Sequence, residues 1–348
     1  MNKLNATLQF SWIQSLRGSA ALLVAFIHFW GTCVNYHYVN LENAWVKLIQ
    51  FFTYELFNFG KIGIVIFFLV SGWLVPTMLQ RKSKMQFLKN RFFRLYPAFW
   101  LSILVSVFYS YKPSLFLIVM NATMLHKFFG VDDLIDVYWT LQIEIAFYIF
   151  CVFLQQKKWL FQKAKLTALL YALLGLAFSL ALLRYFTNYK LPVAMPLGLA
   201  VMFLAHLWRM TLEENSEQSK LEMRKIIAAF VLVFIPLCYL AYNHDYGHHE
   251  AWYRYLSSYA AAFLLFEIFR KKNMKNSVLQ YLGTISYSLY LLHSVTGNAF
   301  LRKANLSGLQ PQLGNTTCLL IAALFIIVAS SISYYFVEKP AINYSKGK

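Results

Sequence analysis

Two ionisable side chains, Arg17 and His28, lie inside the first apolar run of the chain, residues 11–33. A run of this length can cross a bilayer as a helix. The residue steps from Arg17 to His28 make about three helical turns plus 20°, so both side chains share one face, about 16 Å apart along the axis. Titratable groups cost about 2.5 kcal/mol or more each in hydrocarbon and normally face a protein interior or a wet cavity. The pair therefore predicts a functional polar stripe on the first helix.

A carboxylate, Glu144, lies in the apolar stretch VYWTLQIEIAFYIF, about six residues into its predicted helix. The topology given below places it at a depth similar to that of His28, so the two side chains can meet. A carboxylate beside an imidazole holds its tautomer and stabilises the imidazolium, as a general base requires. The alternative is that Glu144 pairs with a lysine or a hydroxyl and locks helices together.

Arg91 and Arg94 lie in NRFFRLYP, where their spacing of three places both guanidinium groups on one helical face. Together with Arg17 they can converge on phosphates, because arginine binds a phosphate bidentately where lysine offers a point charge. The alternative is that Arg91 and Arg94 only anchor the helix at the membrane surface.

Three further features have a structural as well as a functional interpretation. His293 is expected about midway along a helix over residues 283–301, where it either contacts substrate or hydrogen-bonds a neighbour. Ser71 and Gly72 are small residues that permit close helix contact. The loop NHDYGHHE is rich in metal-ligand side chains, but no helical spacing fixes a coordination geometry, so we expect an exposed polar loop and no metal. Its candidate ligands are His244, Asp245, His248, His249 and Glu250.

The composition indicates a membrane protein, because 59% of the residues are hydrophobic and only 13% are charged. A soluble domain carries about twice that share of charge. The excess of Lys and Arg, 32 against 14 acidic residues, falls in short loops between apolar runs, which is the pattern of cytoplasmic loops. This placement argues against nucleic-acid binding. The four cysteines have no paired spacing and are expected to be buried thiols.

The basic loops set the predicted topology. The strongest cluster, residues 81–94, is expected in the cytoplasm, as are the clusters at 157–165 and 270–275. These assignments agree only if the run 114–129 does not span, so we expect a re-entrant or surface segment there. The prediction is an all-α, multi-pass membrane protein with about ten spanning helices, both termini cytoplasmic, and a single membrane-embedded domain over 1–348. The predicted apolar runs are 11–33, 62–80, 95–111, 114–129, 138–155, 166–186, 191–208, 225–242, 252–269, 283–301 and 316–337.

Six segments, taken together and in this order, resemble the acyltransferase-3 family of integral membrane acyltransferases. They are IQSLRGSAALLVAFIH, GKIGIVIFFLVSGW, RFFRLYP, YWTLQIEIAFY, LGTISYSLYLLH and YYFVEKP. The resemblance covers almost the whole chain. It departs mildly at WTLQIE, where the family pattern is WSLxxE, but Trp139 and Glu144 are kept. The chain resembles the stand-alone form, without an added extracytoplasmic esterase-like domain.

The resemblance implies transfer of an acyl group, usually acetyl, from cytoplasmic acyl-CoA to a hydroxyl of a glycan or glycolipid at the outer face of a bacterial inner membrane. Acyl-CoA is then a substrate, and no permanently bound cofactor is expected. The matching positions are Arg17, Arg91 and Arg94 for the donor, and His28 with Glu144 for catalysis. Side chains expected to contact substrate are Trp139, Tyr287 and His293.

The residues leave two questions open. His28 either deprotonates the acceptor hydroxyl or is itself acylated and passes the group on. A transporter or flippase of a glycan precursor or small organic acid is the alternative function, with the same stripe lining its pathway. No convincing similarity between the two halves of the chain supports that alternative. The acceptor and the oligomeric state are not indicated.

Overall fold

The computed structural model describes residues 11–109, 113–244 and 251–347, and within these ranges the chain forms helices and no β-strand. Two π-helical turns lie at Phe51–Leu56 and Tyr334–Glu338, and a 3₁₀ turn lies at His126–Phe129. The α-helices are α1 (Ser11–Asn35), α2 (Ala44–Gln50), α3 (Phe59–Gln80), α4 (Lys84–Tyr109), α5 (Leu115–Ala122), α6 (Trp139–Gln156), α7 (Lys163–Thr187), α8 (Ala194–Glu214), α9 (Glu217–Tyr242), α10 (Trp252–Lys271), α11 (Ser277–Thr284), α12 (Ser286–Leu292), α13 (Gly297–Leu306), α14 (Leu309–Leu313), α15 (Asn315–Ser333) and α16 (Lys339–Ser345).

Seven helices of the described ranges are long and apolar enough to cross a membrane: Ser11–Asn35, Phe59–Gln80, Lys84–Phe108, Lys163–Thr187, Ala194–Glu214, Glu217–Tyr242 and Asn315–Ser345. The protein is therefore a multi-pass helical membrane protein. Two further predicted spans, α6 and α10, have 18 and 20 residues. Polar and charged side chains, including Glu144 in α6 and Arg254 in α10, lower the mean hydropathy of these two helices, so they are not among the seven. The count of ten spans and the side of the termini stay predictions.

The prediction of one continuous helix over 283–301 is wrong. The structure replaces it with α12 and α13, which are separated by residues 293–296 and preceded by α11. Thr296 has φ −116° and ψ −92°, outside the helical region, and its hydroxyl donates to the carbonyl oxygen of Leu292 at 2.7 Å. Such side-chain bonds offer the backbone an alternative to helical pairing. His293 consequently caps the end of α12 instead of lying midway along a helix.

The segment 114–129 forms α5 and the 3₁₀ turn, as a short helix followed by a loop. The eight residues of α5 extend about 12 Å, too short to cross a hydrocarbon core of about 30 Å. Asn121 is fully buried and joins the segment to the acidic stretch that follows. Its side-chain amide donates to the carbonyl oxygens of Leu117 and Asp132, and its oxygen accepts from the backbone N–H of Leu134.

Ion pairs also join the 3₁₀ turn to the acidic residues that follow it. His126 Nε2 lies 2.7 Å from Asp133 Oδ1, and Lys127 Nζ lies 3.1 Å from carboxylate oxygens of both Asp132 and Asp133. Burial lowers the pKa of Lys127, but the hydrogen bonds and charges of the two aspartates outweigh it, so the pKa is raised above its ordinary value. The acidic stretch is thus paired locally with basic groups.

The chain divides into two compact units. The first comprises Met1–Thr53, Met85–Gln142 and Ile268–Lys348, and the second comprises Tyr54–Lys84 and Ile143–Glu267. In the first unit α1 packs on α11, α12 and α13, and α15 packs on α12 and α13. In the second unit α8 packs on α3, α7 and α9. The expectation of a single domain over 1–348 stays a prediction.

Glycines allow backbone contact between helices in both units. A Cβ built on Gly18 would lie 2.0 Å from the carbonyl oxygen of Leu279, and one on Gly283 would lie 1.9 Å from that of Gln14. In the second unit, a Cβ on Gly72 would lie 2.0 Å from the carbonyl oxygen of Met202. The expected close helix contact at Gly72 is confirmed, and the Gly18–Gly283 contact fixes α1 against α11 beside Arg17.

Gly18→Ala is expected to destabilise the protein by about 1–3 kcal/mol, because the added methyl group would force two helix backbones apart. Gly175→Ala in α7 is the matched control, since a Cβ there meets nothing within 4 Å. This variant should be slightly more stable, because alanine is more favourable than glycine within a helix by about 0.5–1 kcal/mol. Thermal unfolding of the purified proteins in one detergent measures both effects. Equal melting temperatures for the two variants would contradict the tight contact.

Candidate active site

Arg17 marks one end of the stripe on α1. Its Nη2 donates to the hydroxyl oxygen of Ser286 at 2.8 Å, and its Nη1 donates to Gln14 Oε1 at 3.3 Å. The side chain is half-buried. The guanidinium is therefore held in place by hydroxyl and amide oxygens, and its charge is not cancelled by these two partners.

Three consecutive residues of α12 tie three separate segments together. Ser286 accepts from Arg17 on α1. The Tyr287 hydroxyl donates to the carbonyl oxygen of Leu95 on α4 at 2.9 Å, one residue beyond Arg94. The Ser288 hydroxyl donates to Glu338 Oε2 at 3.0 Å. The start of α12 thus positions both arginine-bearing helices and a carboxylate.

Glu338 lies at the arginine end of the stripe and is only 2% exposed. Its carboxylate interacts electrostatically with Arg94 and Arg17, in that order of strength after its own burial. Both arginines therefore act electrostatically on one carboxylate, while their predicted convergence on a ligand stays a prediction. Glu338 itself was not predicted as a site residue. The sequence feature that could have indicated it is its position as the acidic residue of the motif YYFVEKP, directly after an apolar run.

Arg91 is half-buried one turn before Arg94 on α4. Its guanidinium carbon lies 5.3 Å from the centre of the Phe87 ring, within the range of a cation–π contact. Its convergence with Arg17 and Arg94 on one ligand stays a prediction. Two guanidinium groups around one carboxylate carry a net positive charge, which suits an anion such as a phosphate.

His28 marks the other end of the stripe and has a second imidazole beside it. The ring centres of His28 and His293 are 5.1 Å apart, with 46° between the ring planes. His28 is half-buried, whereas His293 is completely buried. Asp136, an exposed residue, interacts electrostatically with His28. The sequence identified both histidines but did not predict that they meet, nor that Asp136 is the nearby carboxylate.

Glu144 belongs to the second unit, where its carboxylate accepts hydrogen bonds from two hydroxyls. Ser71 Oγ lies 3.3 Å from Glu144 Oε1, and the Tyr148 hydroxyl donates to the same oxygen one turn further along α6. These hydroxyl partners agree with the alternative that Glu144 holds helices together. The expected meeting of Glu144 with His28 stays a prediction.

The other residues expected to contact substrate, Trp139 and Tyr287, form hydrogen bonds between segments of the protein or lie next to residues that do. Trp139 is half-buried at the start of α6, and its neighbour Thr140 shares a 2.6 Å hydrogen bond with the Tyr290 hydroxyl. The Tyr287 hydroxyl is engaged by Leu95. Contacts of Trp139, Tyr287 and His293 with substrate stay predictions.

Within the described ranges, no group of three or more His, Cys, Asp or Glu side chains could hold a metal ion. Most of the loop considered for metal binding, with Asp245, His248, His249 and Glu250, lies outside those ranges. Cys33, Cys151, Cys238 and Cys318 are buried free thiols, as expected.

Comparison with known proteins agrees with the resemblance seen in the motifs. The family model described as Acyltransferase domain, of the acyltransferase-3 family, matches residues 10–336. A protein of Acidianus two-tailed virus, ORF330, described as a candidate acetyltransferase, is 27% identical over 144 residues, or 40% of this chain and 38% of that relative. No solved structure shows a significant match. Because the family match covers nearly the whole chain, the protein belongs to the acyltransferase-3 family.

Proposed function

We propose that the protein is an O-acyltransferase that moves an acyl group, in the simplest case acetyl, from cytoplasmic acyl-CoA to a hydroxyl of a cell-surface or lipid-linked glycan in a bacterial inner membrane. The observation that carries the proposal is the stripe on α1. Its Arg17 end gathers a second arginine around Glu338, and its His28 end lies beside a second imidazole. Anion binding and proton transfer are the two abilities that such a reaction needs.

The donor is held by its phosphates. Arg17 and Arg94, with Arg91 on the same face of α4, provide charge-assisted hydrogen bonds to CoA phosphates at the predicted cytoplasmic end. The separation of about 16 Å along α1 is then spanned by the extended pantetheine arm, which carries the thioester toward His28. Holding a reactant at both ends lowers the entropic cost of reaching the reactive geometry.

His28 performs the chemistry at the thioester by one of two balanced routes. In the direct route it takes the hydroxyl proton as the acceptor oxygen attacks the carbonyl carbon and the C–S bond breaks. In the covalent route one imidazole nitrogen attacks the carbonyl carbon, the C–S bond breaks, and the proton on the other nitrogen goes to the sulfur, so that CoA leaves as the thiol. The acceptor oxygen then attacks the acyl-imidazole, the C–N bond breaks, and the hydroxyl proton passes to the imidazole. The products, an ester and CoA thiol, are the same.

The proposal is tested with purified protein in proteoliposomes supplied with radiolabelled acetyl-CoA on one side and a cell-surface glycan extract on the other. We expect base-labile label to appear on the glycan fraction, and none with vesicles that lack the protein. Rapid acid quenching of a reaction without acceptor separates the routes, since only the covalent route leaves label on the protein. Movement of glycan without any label transfer would overturn the proposal in favour of transport.

A further inference from the structure

The imidazole of His293 is held in one tautomer by the end of α12. Its Nδ1 lies 3.1 Å from the carbonyl oxygen of Leu289, one turn earlier in the same helix. A carbonyl oxygen can only accept, so Nδ1 carries the proton and donates it there. Nε2 of the neutral ring therefore has a free lone pair and acts as a hydrogen-bond acceptor.

That acceptor atom is buried and has no hydrogen-bond partner within the described ranges. Leaving a buried polar atom unpaired costs about 1–3 kcal/mol, and such atoms in native proteins often mark a functional group. Because His293 is completely buried, a substrate hydroxyl has no direct access to Nε2. The half-buried His28 is the titratable group beside it.

The neighbouring helix start keeps this ring in place. The Tyr290 hydroxyl donates to the carbonyl oxygen of Val137 at 2.9 Å and shares a hydrogen bond with Thr140. The Tyr290 and His293 ring centres are 6.3 Å apart. The end of α12 is thus fixed against the start of α6, which holds the His293 ring beside that of His28.

Electrostatics favours one shared proton on this pair. Two imidazolium rings whose centres are 5.1 Å apart would repel strongly in the poorly solvated interior. Groups that interact this closely titrate as a pair and not as two independent sites. A proton that reaches His28 therefore has one nearby imidazole that is neutral and able to take it.

We propose that His293 is a positioning residue that assists His28 by accepting a proton from it during acyl transfer. The inference rests on the proposed function. As the acceptor O–H bond breaks and its oxygen attacks the thioester carbon, one nitrogen of His28 takes the proton. The two rings then move into hydrogen-bond distance, and the other nitrogen of His28 passes its own proton to Nε2 of His293. When the C–S bond breaks, the proton returns by the same route to the sulfur, and CoA leaves as the thiol.

The test compares His293→Gln with His206→Gln. Glutamine keeps polar atoms at the position of the imidazole but cannot accept a proton. His206 is the matched control, because it is also completely buried and its Nε2 bonds a backbone oxygen, that of Leu160, at 2.9 Å. Steady-state kinetics with acetyl-CoA and the glycan extract give kcat and KM for each, and His293→Ala is assayed with and without added imidazole.

We expect kcat of His293→Gln to fall about 100-fold or more, the usual contribution of proton transfer, while both KM values stay within about 3-fold. Imidazole should restore part of the activity of His293→Ala. Unchanged kcat in His293→Gln, a rise only in the acceptor KM, or an equal loss in His206→Gln would overturn the inference. Failure of the proposed function would instead appear in the unmodified protein, which would transfer no label from acetyl-CoA, and it would overturn both.

Discussion

His28→Ala is expected to lower acyl transfer by about 10³-fold or more, because both balanced routes need its imidazole as a base or as a nucleophile. The expected loss lies in kcat, since Arg17, which we propose to hold the donor, is about 16 Å away along α1. Transfer of label from acetyl-CoA to the glycan extract, with the unmodified protein assayed in parallel, measures it.

Leu22→Ala is the control on the same helix, because Leu22 is 47% exposed and contributes no polar group. It should transfer label at a rate near that of the unmodified protein. Both variants should elute as one species from size-exclusion chromatography in detergent and keep their helical circular dichroism. A folded His28→Ala variant with full transfer would remove His28 from the reaction.

Arg17→Gln is expected to weaken both folding and use of the donor. Glu338 is almost fully buried and would lose one of the two guanidinium groups around it. Loss of a positive charge that acts on a buried carboxylate lowers the free energy of unfolding, and the loss is reduced because Arg17 is only half-buried. The KM for acetyl-CoA should rise about 10-fold or more, since a charge-assisted hydrogen bond to phosphate is lost.

The double variant Arg17→Gln/Glu338→Gln separates these two effects. It removes the unpaired carboxylate, so melting temperature should return toward that of the unmodified protein, while the KM for acetyl-CoA should stay high. Arg17→Lys keeps the charge but loses the planar, bidentate geometry, so it should mainly raise the KM. Arg224→Gln, an exposed arginine of α9, is the control. If the double variant binds donor normally, Arg17 is a structural residue alone.

Helical periodicity was enough to predict the helices that carry the arginines and His28. The spacing of Arg17 and His28, and that of Arg91 and Arg94, depends only on residues per turn, and the structure places these side chains in helices. The same reasoning could not find Glu338 or Asp136. They act electrostatically on Arg17 and His28, which are far away in the sequence, and periodicity within a helix says nothing about which helices are neighbours.

The predicted pairing of Glu144 with His28 rests on their similar expected depth in the membrane. Depth does not specify where a residue lies around the bundle, so the pairing stays a prediction. In the structure Glu144 bonds Ser71 and Tyr148 within its own unit. The break at residues 293–296 is not predicted by the apolar run 283–301, because apolarity and length do not reveal hydroxyl-to-backbone bonds such as that of Thr296.

The short helix α12 connects the two ends of the stripe. Its first residue bonds Arg17, and the residue that caps its other end lies beside His28. The helix has seven residues and is about 10 Å long. We expect a ligand that draws Arg17 away from Ser286 to shift this helix, so that binding at the arginine end and alignment of the two imidazoles share one coupling free energy.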